Sequence, residues 1–211
     1  MAAMPMLAGV GLMMVCCSSS SLSSLMMGGG EEDPDGGGAG TPTPTPTPTP
    51  VLRNTPETMR HSSSNWGGDA IGVGHGRGRL DSEQGWSAQA NQVGEWYELD
   101  NGSATDISGV VIKGRVGGHR QYVTSFKAQY KDSEGAWKDV DSGYIFEGSQ
   151  DKDSQANVFF KAPINTSAIR IYPQTWHGHM SMRAGLMTGG SSSTEGYRSR
   201  PVEKEIEAFS F

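Results

Sequence analysis

An antiparallel all-β sandwich is the fold class that this sequence predicts. Three features carry the prediction: beyond Val51 apolar residues alternate with polar ones in short runs, clusters of Gly, Asp, Asn and Ser separate the runs, and helical periodicity is nearly absent. In chain order the expected strands cover residues 96–100, 107–113, 124–131, 136–140, 157–161, 169–172 and 180–186. The run at 124–131 is the clearest. Successive side chains of a strand point to opposite faces, so Thr124, Phe126, Ala128 and Tyr130 turn to one side while Ser125, Lys127, Gln129 and Lys131 turn to water. Met180, Met182, Ala184 and Leu186 alternate with Ser181, Arg183 and Gly185 in the same manner, as Ile169 and Ile171 do with Arg170 and Tyr172, which predicts two more half-buried strands. About eight strands suffice for two packed sheets. Trp96, Trp137 and Trp176 lie in or beside these runs and are expected to fill the interior.

Only the middle of the chain has the composition of a folded domain. Trp, Tyr and Phe all follow Val51, whereas both cysteines and most of the methionines precede Gly28. Residues 1–30 carry no charged side chain, and residues 4–25 supply about the 20 residues that a helix needs to cross a hydrocarbon core. A membrane anchor and a cleaved signal segment both fit, the latter because the apolar stretch 4–15 has the length of an h-region. Cys16 and Cys17 are neighbours, too close for an unstrained bridge, and sit where acylation is chemically reasonable. Residues 31–51 are an acidic and Gly-rich linker followed by a Thr-Pro alternation, a composition that favours a polyproline II rod of about 3.1 Å per residue and serves as a stalk. Residues 52–187 are the expected domain, and residues 188–211 are a Gly/Ser-rich, then mixed-charge tail, expected to be loose.

Charge narrows the function classes. With 17 basic against 23 acidic side chains and a formal net charge of -6, the chain lacks the positive field that a phosphate backbone attracts, and nucleic acid is not expected as a partner. No thiol lies in the domain, so thiol catalysis and Cys-ligated zinc are excluded there, and no disulfide constrains the unfolded chain.

Several ordered segments carry a family resemblance. Gly85-Trp86-Ser87 precedes Glu95-Trp96-Tyr97-Glu98-Leu99-Asp100, followed by Val111-Ile112-Lys113-Gly114-Arg115 and by Gln121-Tyr122-Val123-Thr124-Ser125-Phe126-Lys127-Ala128-Gln129-Tyr130. The chain closes with Ile169-Arg170-Ile171-Tyr172-Pro173-Gln174-Thr175-Trp176 and Met180-Ser181-Met182-Arg183-Ala184. In this order and spacing the sequence resembles the discoidin family, also called the coagulation factor 5/8 C-terminal type or galactose-binding-like domains, over nearly all of residues 55–187. The resemblance implies a discoidin-like jelly roll whose loops at one end grip sugars or phospholipid headgroups. Two departures stand out: the paired terminal cysteines of many secreted members have no counterpart near Arg60 or Met187, and Asn101 stands where the family usually has an apolar residue.

The binding end implied by the resemblance is formed here by residues 66–79, the turn at 116–121 and the stretch 143–154. Sugar recognition needs an apolar or aromatic face for the ring, with planar donors and carboxylate acceptors at its hydroxyl rim. Trp66, Asp69, His75, Arg77, Arg79, Arg115, His119 and Arg120 offer that set and are the expected ligand-binding residues. A solvated loop rim accounts for the same polar residues equally well, and Arg115 and Arg183, sitting in strands patterned for burial, also suit structural roles with carboxylate or carbonyl partners. Gly72, Gly74, Gly76 and Gly78 superficially suggest a phosphate loop, but no Lys-Ser/Thr pair follows them. His177 and His179 form an HxH pair without an identifiable third ligand, so neither a metal nor a cofactor is expected. Asn101-Gly102-Ser103 and Asn165-Thr166-Ser167 are glycosylation acceptors where the host supplies that chemistry.

No GxSxG elbow, HExxH pair or matched acid/base carboxylates appear, so the chain is not expected to be an enzyme. The expected function is a non-catalytic binding or adhesion module for a glycan or glycoconjugate, held at the extracellular side of a membrane or secreted. Phospholipid headgroup binding is the nearer alternative. A structural surface or virion protein with protein partners only is the other, and self-association stays open.

Overall fold

The computed structural model describes residues 49–190, within the second of the two units into which the chain divides, Pro44–Phe211. The anchor or signal reading of residues 1–30, nearly all of the stalk and the tail beyond Gly190 lie outside the described residues. Among the described residues no helix is long and apolar enough to cross a membrane.

Among the described residues nine strands form an antiparallel β-sandwich: β1 (Val51–Arg53), β2 (Arg60–Ser62), β3 (Trp86–Ser87), β4 (Tyr97–Lys113), β5 (Tyr122–Lys131), β6 (Trp137–Asp139), β7 (Phe146–Glu147), β8 (Ala156–His177) and β9 (Ser181–Thr188). Their order is β1-β9-β4-β8-β5-β6, with β2 on β4, β3 on β9 and β7 on β5. The expected strands at 96–100 and 107–113 merge into β4, and those at 157–161 and 169–172 merge into β8. The two long strands pair twice. Tyr97 and Leu99 face Ile171 and Ile169, then the register shifts between Asp100 and Thr105 and again between Ile107 and Gly109, after which Gly109 and Val110 face Phe159 and Val158. An unpaired residue in one strand bends it and sharpens its twist, which lets Leu99 and Ile169 from one half and Val110 and Phe160 from the other reach a single core cluster.

Strand parity decides what enters that core. Phe126 and Ala128 of β5 are buried, as the alternation predicts. Phe126 stacks on Phe146 with centroids 5.5 Å apart, and Trp86 on Tyr97 at 5.0 Å. Truncating one such aromatic to Ala costs about 3–5 kcal/mol. Two expectations need correction. Trp96 and Trp137 do not fill the interior: Tyr97 points inward from β4, so its neighbour Trp96 must point out, and the two indoles clasp the Arg170 guanidinium at 3.9 and 4.0 Å on the outer face. Trp176 does pack, half-buried, against the core. Nor is β9 half-buried, since Ser181, Arg183 and Gly185 are as enclosed as Met182, Ala184 and Leu186. Its second face is covered by the loop around Leu80 and by β1. Arg183 gives that buried strand its polar solution, donating from Nε to Gly114 O at 2.8 Å and from Nη1 to Leu80 O at 3.0 Å.

Candidate functional site

The segment 66–79 leaves β2 on a ladder of short polar braces. The Ser62 hydroxyl and Asn65 Oδ1 lie 2.7 Å apart, and Asn65 Nδ2 donates to Asp69 O at 2.7 Å. Glu95, buried beneath them, accepts from the Ser63 and Ser64 hydroxyls. These braces carry two single-turn 3-10 helices, Trp66–Gly68 and Gly74–Gly76. At its far end the segment returns to the core through Gly78 and Arg79, whose backbone N–H groups both donate to the Glu57 carboxylate, at 3.0 and 3.1 Å.

Within the segment Asp69 organises its own chemistry. Its Oδ2 accepts the backbone N–H of His75 at 2.8 Å and sits 2.9 Å from His75 Nδ1. Because a carboxylate only accepts, Nδ1 carries the proton and Nε2 is left with its lone pair. The two hydrogen bonds from His75 hold the Asp69 carboxyl below its ordinary pKa. Gly74 has to be glycine here: its φ is positive, and a Cβ would lie 2.3 Å from Asp69 Oδ2.

One other part of the chain, the turn before β9, meets this segment, and Arg115 stands near it. The Trp66 indole stands edge-on to His179, with centroids 5.1 Å apart and planes at 85°. The carbonyl of Met180 lies 3.3 Å from His179 Nδ1 and can only accept, so His179, like His75, keeps a lone pair on Nε2. Burial lowers the His179 pKa from its ordinary 6.5, and the positive charge of Arg115 lowers it further. Arg115 stands just beyond the end of β4, its Nε donating to Gln84 Oε1 at 2.7 Å and its Nη1 to Gln121 Oε1 at 2.8 Å. Burial lowers its pKa as well, from a value so high that the guanidinium stays charged. Trp66, Asp69 and His75 thus share one segment that His179 meets, and Arg115 lies near enough for its charge to act on His179.

The other expected residues go elsewhere. Arg79 turns to Asp81 in a bidentate pair at 2.9 Å on both arms, a partner two residues away that competes with any ligand. Arg77 is exposed and donates from Nε to Gly72 O within its own loop. His119 and Arg120 are exposed on the turn after Arg115. That turn is fastened to the end of β8, where His177 Nδ1 donates to Arg120 O at 2.8 Å while the ring stacks on Tyr122 at 5.0 Å. His177 and His179 therefore serve different partners and do not act as an HxH pair. From the stretch 143–154, Gly148 and Ser149 pair with the start of β5 and Lys152 packs on Gly114, next to Arg115.

Sequence reasoning reads His179 only as half of an HxH pair and does not single out Gln84 and Gln121. The contact of His179 with Trp66 depends on β9 returning beside β2's partner strand, which no local pattern announces. Among the described residues one set of side chains could gather on a metal: His61, Glu98 and Asp100, with ligand atoms within 4.8 Å of one another. Glu98 Oε2 already accepts from Arg170 Nε at 2.9 Å, and Asp100 Oδ1 caps the Gly102 N–H at 2.7 Å. Of the two sequon asparagines, Asn101 is buried whereas Asn165 is exposed, its amide donating to Asp106.

Comparison with known proteins gives this arrangement its relatives. A family model for the F5/8 type C domain matches residues 59–186. Lactadherin of Sus scrofa is 31% identical over 146 residues, 65% of this chain and 36% of that protein. Discoidin-2 of Dictyostelium discoideum is 30% identical over 105 residues, 50% of this chain and 40% of that protein. The chain therefore matches well under half the length of either relative. Among solved structures, recombinant discoidin II of Dictyostelium discoideum has a TM-score of 0.50 at 24% identity, covering 61% of this chain and 54% of that one. The family 32 CBM from C. perfringens NanJ in complex with galactose has a TM-score of 0.50 at 16% identity, over 65% of this chain and 99% of that one. At such identities the structures share a fold. The family model spans more than half of the chain, from just before β2 to the inner residues of β9, and the chain belongs to the F5/8 type C domain family.

Proposed function

We propose that this chain is a non-catalytic binding module that takes a terminal sugar of a glycan between Trp66, His75, Arg115 and His179, and that it works at a cell surface or after secretion. The observation that supports it best is one juxtaposition: an indole that is 46% exposed stands beside His179, with the fixed Asp69–His75 pair in the same segment and the Arg115 charge acting on His179. The indole offers an apolar face to the C–H side of a pyranose. The Nε2 lone pairs of His75 and His179 accept from sugar hydroxyls, and the N–H groups of Arg115 not used by Gln84 and Gln121 donate to them. A hydroxyl both donates and accepts, so a mixed set of this kind fits it, whereas an all-donor set would fit a phosphate. Arg77, His119 and Arg120 at the exposed rim are in reach only of further residues of a longer glycan, and Arg79 stays with Asp81.

Galactose, the sugar in the NanJ CBM structure, is the probe. Titration calorimetry of the full chain is expected to give saturable galactose binding that falls by about a hundredfold in Arg115→Ala. A folded chain that binds neither galactose nor any member of a glycan array ends this reading. A lipid surface is a second reading, supported by three exposed apolar side chains, Trp66, Val73 at 54% and Val93 at 63%. Sedimentation with anionic vesicles separates the two: galactose does not compete with a lipid mode, and Val73→Asp weakens only that mode.

A further inference from the structure

Arg60 has no part in the reading above, and it is the most completely enclosed charge among the described residues, its side chain 0% exposed. Four oxygens from three separate stretches of chain converge on its guanidinium. Nε donates to Thr55 O at 3.0 Å, Nη1 to both Gly78 O and Ala184 O at 2.9 Å, and Nη2 to Asn54 Oδ1 at 3.1 Å. The Glu57 carboxylate, 3.8 Å from Nε, balances the charge and accepts the N–H groups of Gly78 and Arg79. The peptide groups flanking Gly78 are therefore gripped from both sides, one N–H by Glu57 and one carbonyl by Arg60, and the same carbonyl accepts Ala184 N–H at 2.9 Å. There is no slack in the grip, because a Cβ at Gly78 would fall 2.0 Å from the Tyr97 hydroxyl.

We propose that Arg60 is a positioning residue for the ligand site: an internal cation that fixes where segment 66–79 returns to β9, and so how far Trp66 and His75 reach toward His179 and Arg115. The argument is one of chemistry as well as place. A buried guanidinium is costly unless every donor is met, and apolar packing would fill the same space without it. What a planar fork of donors adds is direction, since four of its five N–H groups are met only when three carbonyls and an amide oxygen hold set positions. The carbonyls belong to the lead-in to β2, to the far end of the ligand segment and to β9, which runs on from His179 and Met180. A ligand site assembled from those same pieces inherits their spacing, and such sites work only when held to within roughly 0.5 Å.

This inference rests on the sugar-binding reading, and the test keeps the two apart. Arg60→Lys, Arg60→Ala and Glu57→Gln are made in the full chain, with galactose affinity read by calorimetry and hydrogen exchange read at the amides of Gly78 and Arg79. Lysine keeps the charge but cannot span the four oxygens, so Arg60→Lys is expected to fold, to lose about tenfold in affinity and to exchange faster at those two amides. Glu57→Gln, which releases the N–H side of the grip, is expected to do the same to a smaller extent. Arg60→Ala is expected to regain part of its affinity in millimolar guanidinium, an effect that bulk destabilisation does not produce. If Arg60→Ala does not fold, the Lys and Gln variants decide. Wild-type affinity and exchange in folded Arg60→Lys and Glu57→Gln overturn the proposal. If the wild-type chain binds no galactose, the sugar reading falls, and unchanged exchange at Gly78 and Arg79 in Arg60→Lys overturns the positioning role by itself.

Discussion

Around Trp66 the chain presents a half-exposed indole followed by Gly67 and Gly68, whose missing Cβ atoms face open space, whereas at Gly78 one added methyl would meet the Tyr97 hydroxyl at 2.0 Å. The two ends of a single segment are thus built differently. The inner end is closely paired: every polar group of Gly78 has a partner, and the guanidinium below it has four. The outer end is left with capacity, in the Nε2 lone pairs of His75 and His179, the spare donors of Arg115 and the bare face of Trp66. Rigid anchorage at one end is what allows unspent hydrogen bonding at the other to stay in position for a ligand, because a loop free at both ends would lose the entropy of ordering on every binding event.

The contrast breaks most visibly at its closely paired end. Gly78→Ala is expected to destabilise the fold by about 3 kcal/mol in urea denaturation, the upper range for forcing a methyl into packed surroundings, and adding Tyr97→Phe, which removes the clashing oxygen, is expected to restore part of that loss. At the open end the effects move from stability to affinity. Arg115→Ala removes charged donors while leaving the partly exposed Gln84 and Gln121 able to reach water, so galactose binding is expected to fall by about a hundredfold. Its melting temperature should shift by no more than a few degrees. A large drop in melting temperature with affinity preserved would mean that Arg115 belongs with Arg60 and Arg183, as a structural cation.

Four arginines show how much of this was legible from the sequence. Arg115 and Arg183 were readable as unusual because they stand at strand positions patterned for burial, and both indeed find oxygen partners. Arg79 was read as a ligand residue although Asp81, two positions on, was in plain view and takes it. Arg60 drew no notice, because its partners are backbone carbonyls at Thr55, Gly78 and Ala184, and carbonyls have no sequence signature. The same division holds for the fold. Period-two alternation placed Phe126, Ala128, Met182 and Leu186 correctly, since it is local. Weighing residue size above that parity misplaces Trp96 and Trp137; the inward Tyr97 and Leu99 already require Trp96 to face out. The joining of two runs into β4, and of two into β8, depends on bulges whose cause lies in the partner strand, and no reading of one strand contains it. The ends of the domain, where many relatives were expected to have cysteines, are held by β1 pairing with β9, Val51 opposite Thr188.

Trp66→Ala sharpens the comparison at lower amplitude. Losing the ring platform is expected to weaken galactose binding by about tenfold, while stability changes by less than about 0.5 kcal/mol because the indole is partly exposed. Trp66→Phe should recover most of the affinity. A loss of several kcal/mol of stability instead would show that the indole holds His179 in the fold and offers no surface to a ligand.

The smallest expected effect is on pH. His179 has its pKa lowered from 6.5, first by burial and then by the charge of Arg115. Above 6.5 folded and unfolded chains both hold it neutral, so its contribution to stability is complete there. As pH falls below 6.5 the unfolded chain takes up a proton that the folded site resists, and that contribution declines until the lower folded value is passed. Asp69, held below its ordinary 3.8, stays ionised across this window and keeps His75 in place. Galactose affinity is therefore expected to be flat from pH 7.5 to 6.5 and to decline only below it, as the Nε2 lone pair of His179 is lost to a proton. His179→Gln, which offers an acceptor without titrating, should bind somewhat more weakly at neutral pH and lose the part of the acid decline that His179 contributes. A decline of unchanged size in His179→Gln would remove His179 from the set of groups that accept from the sugar.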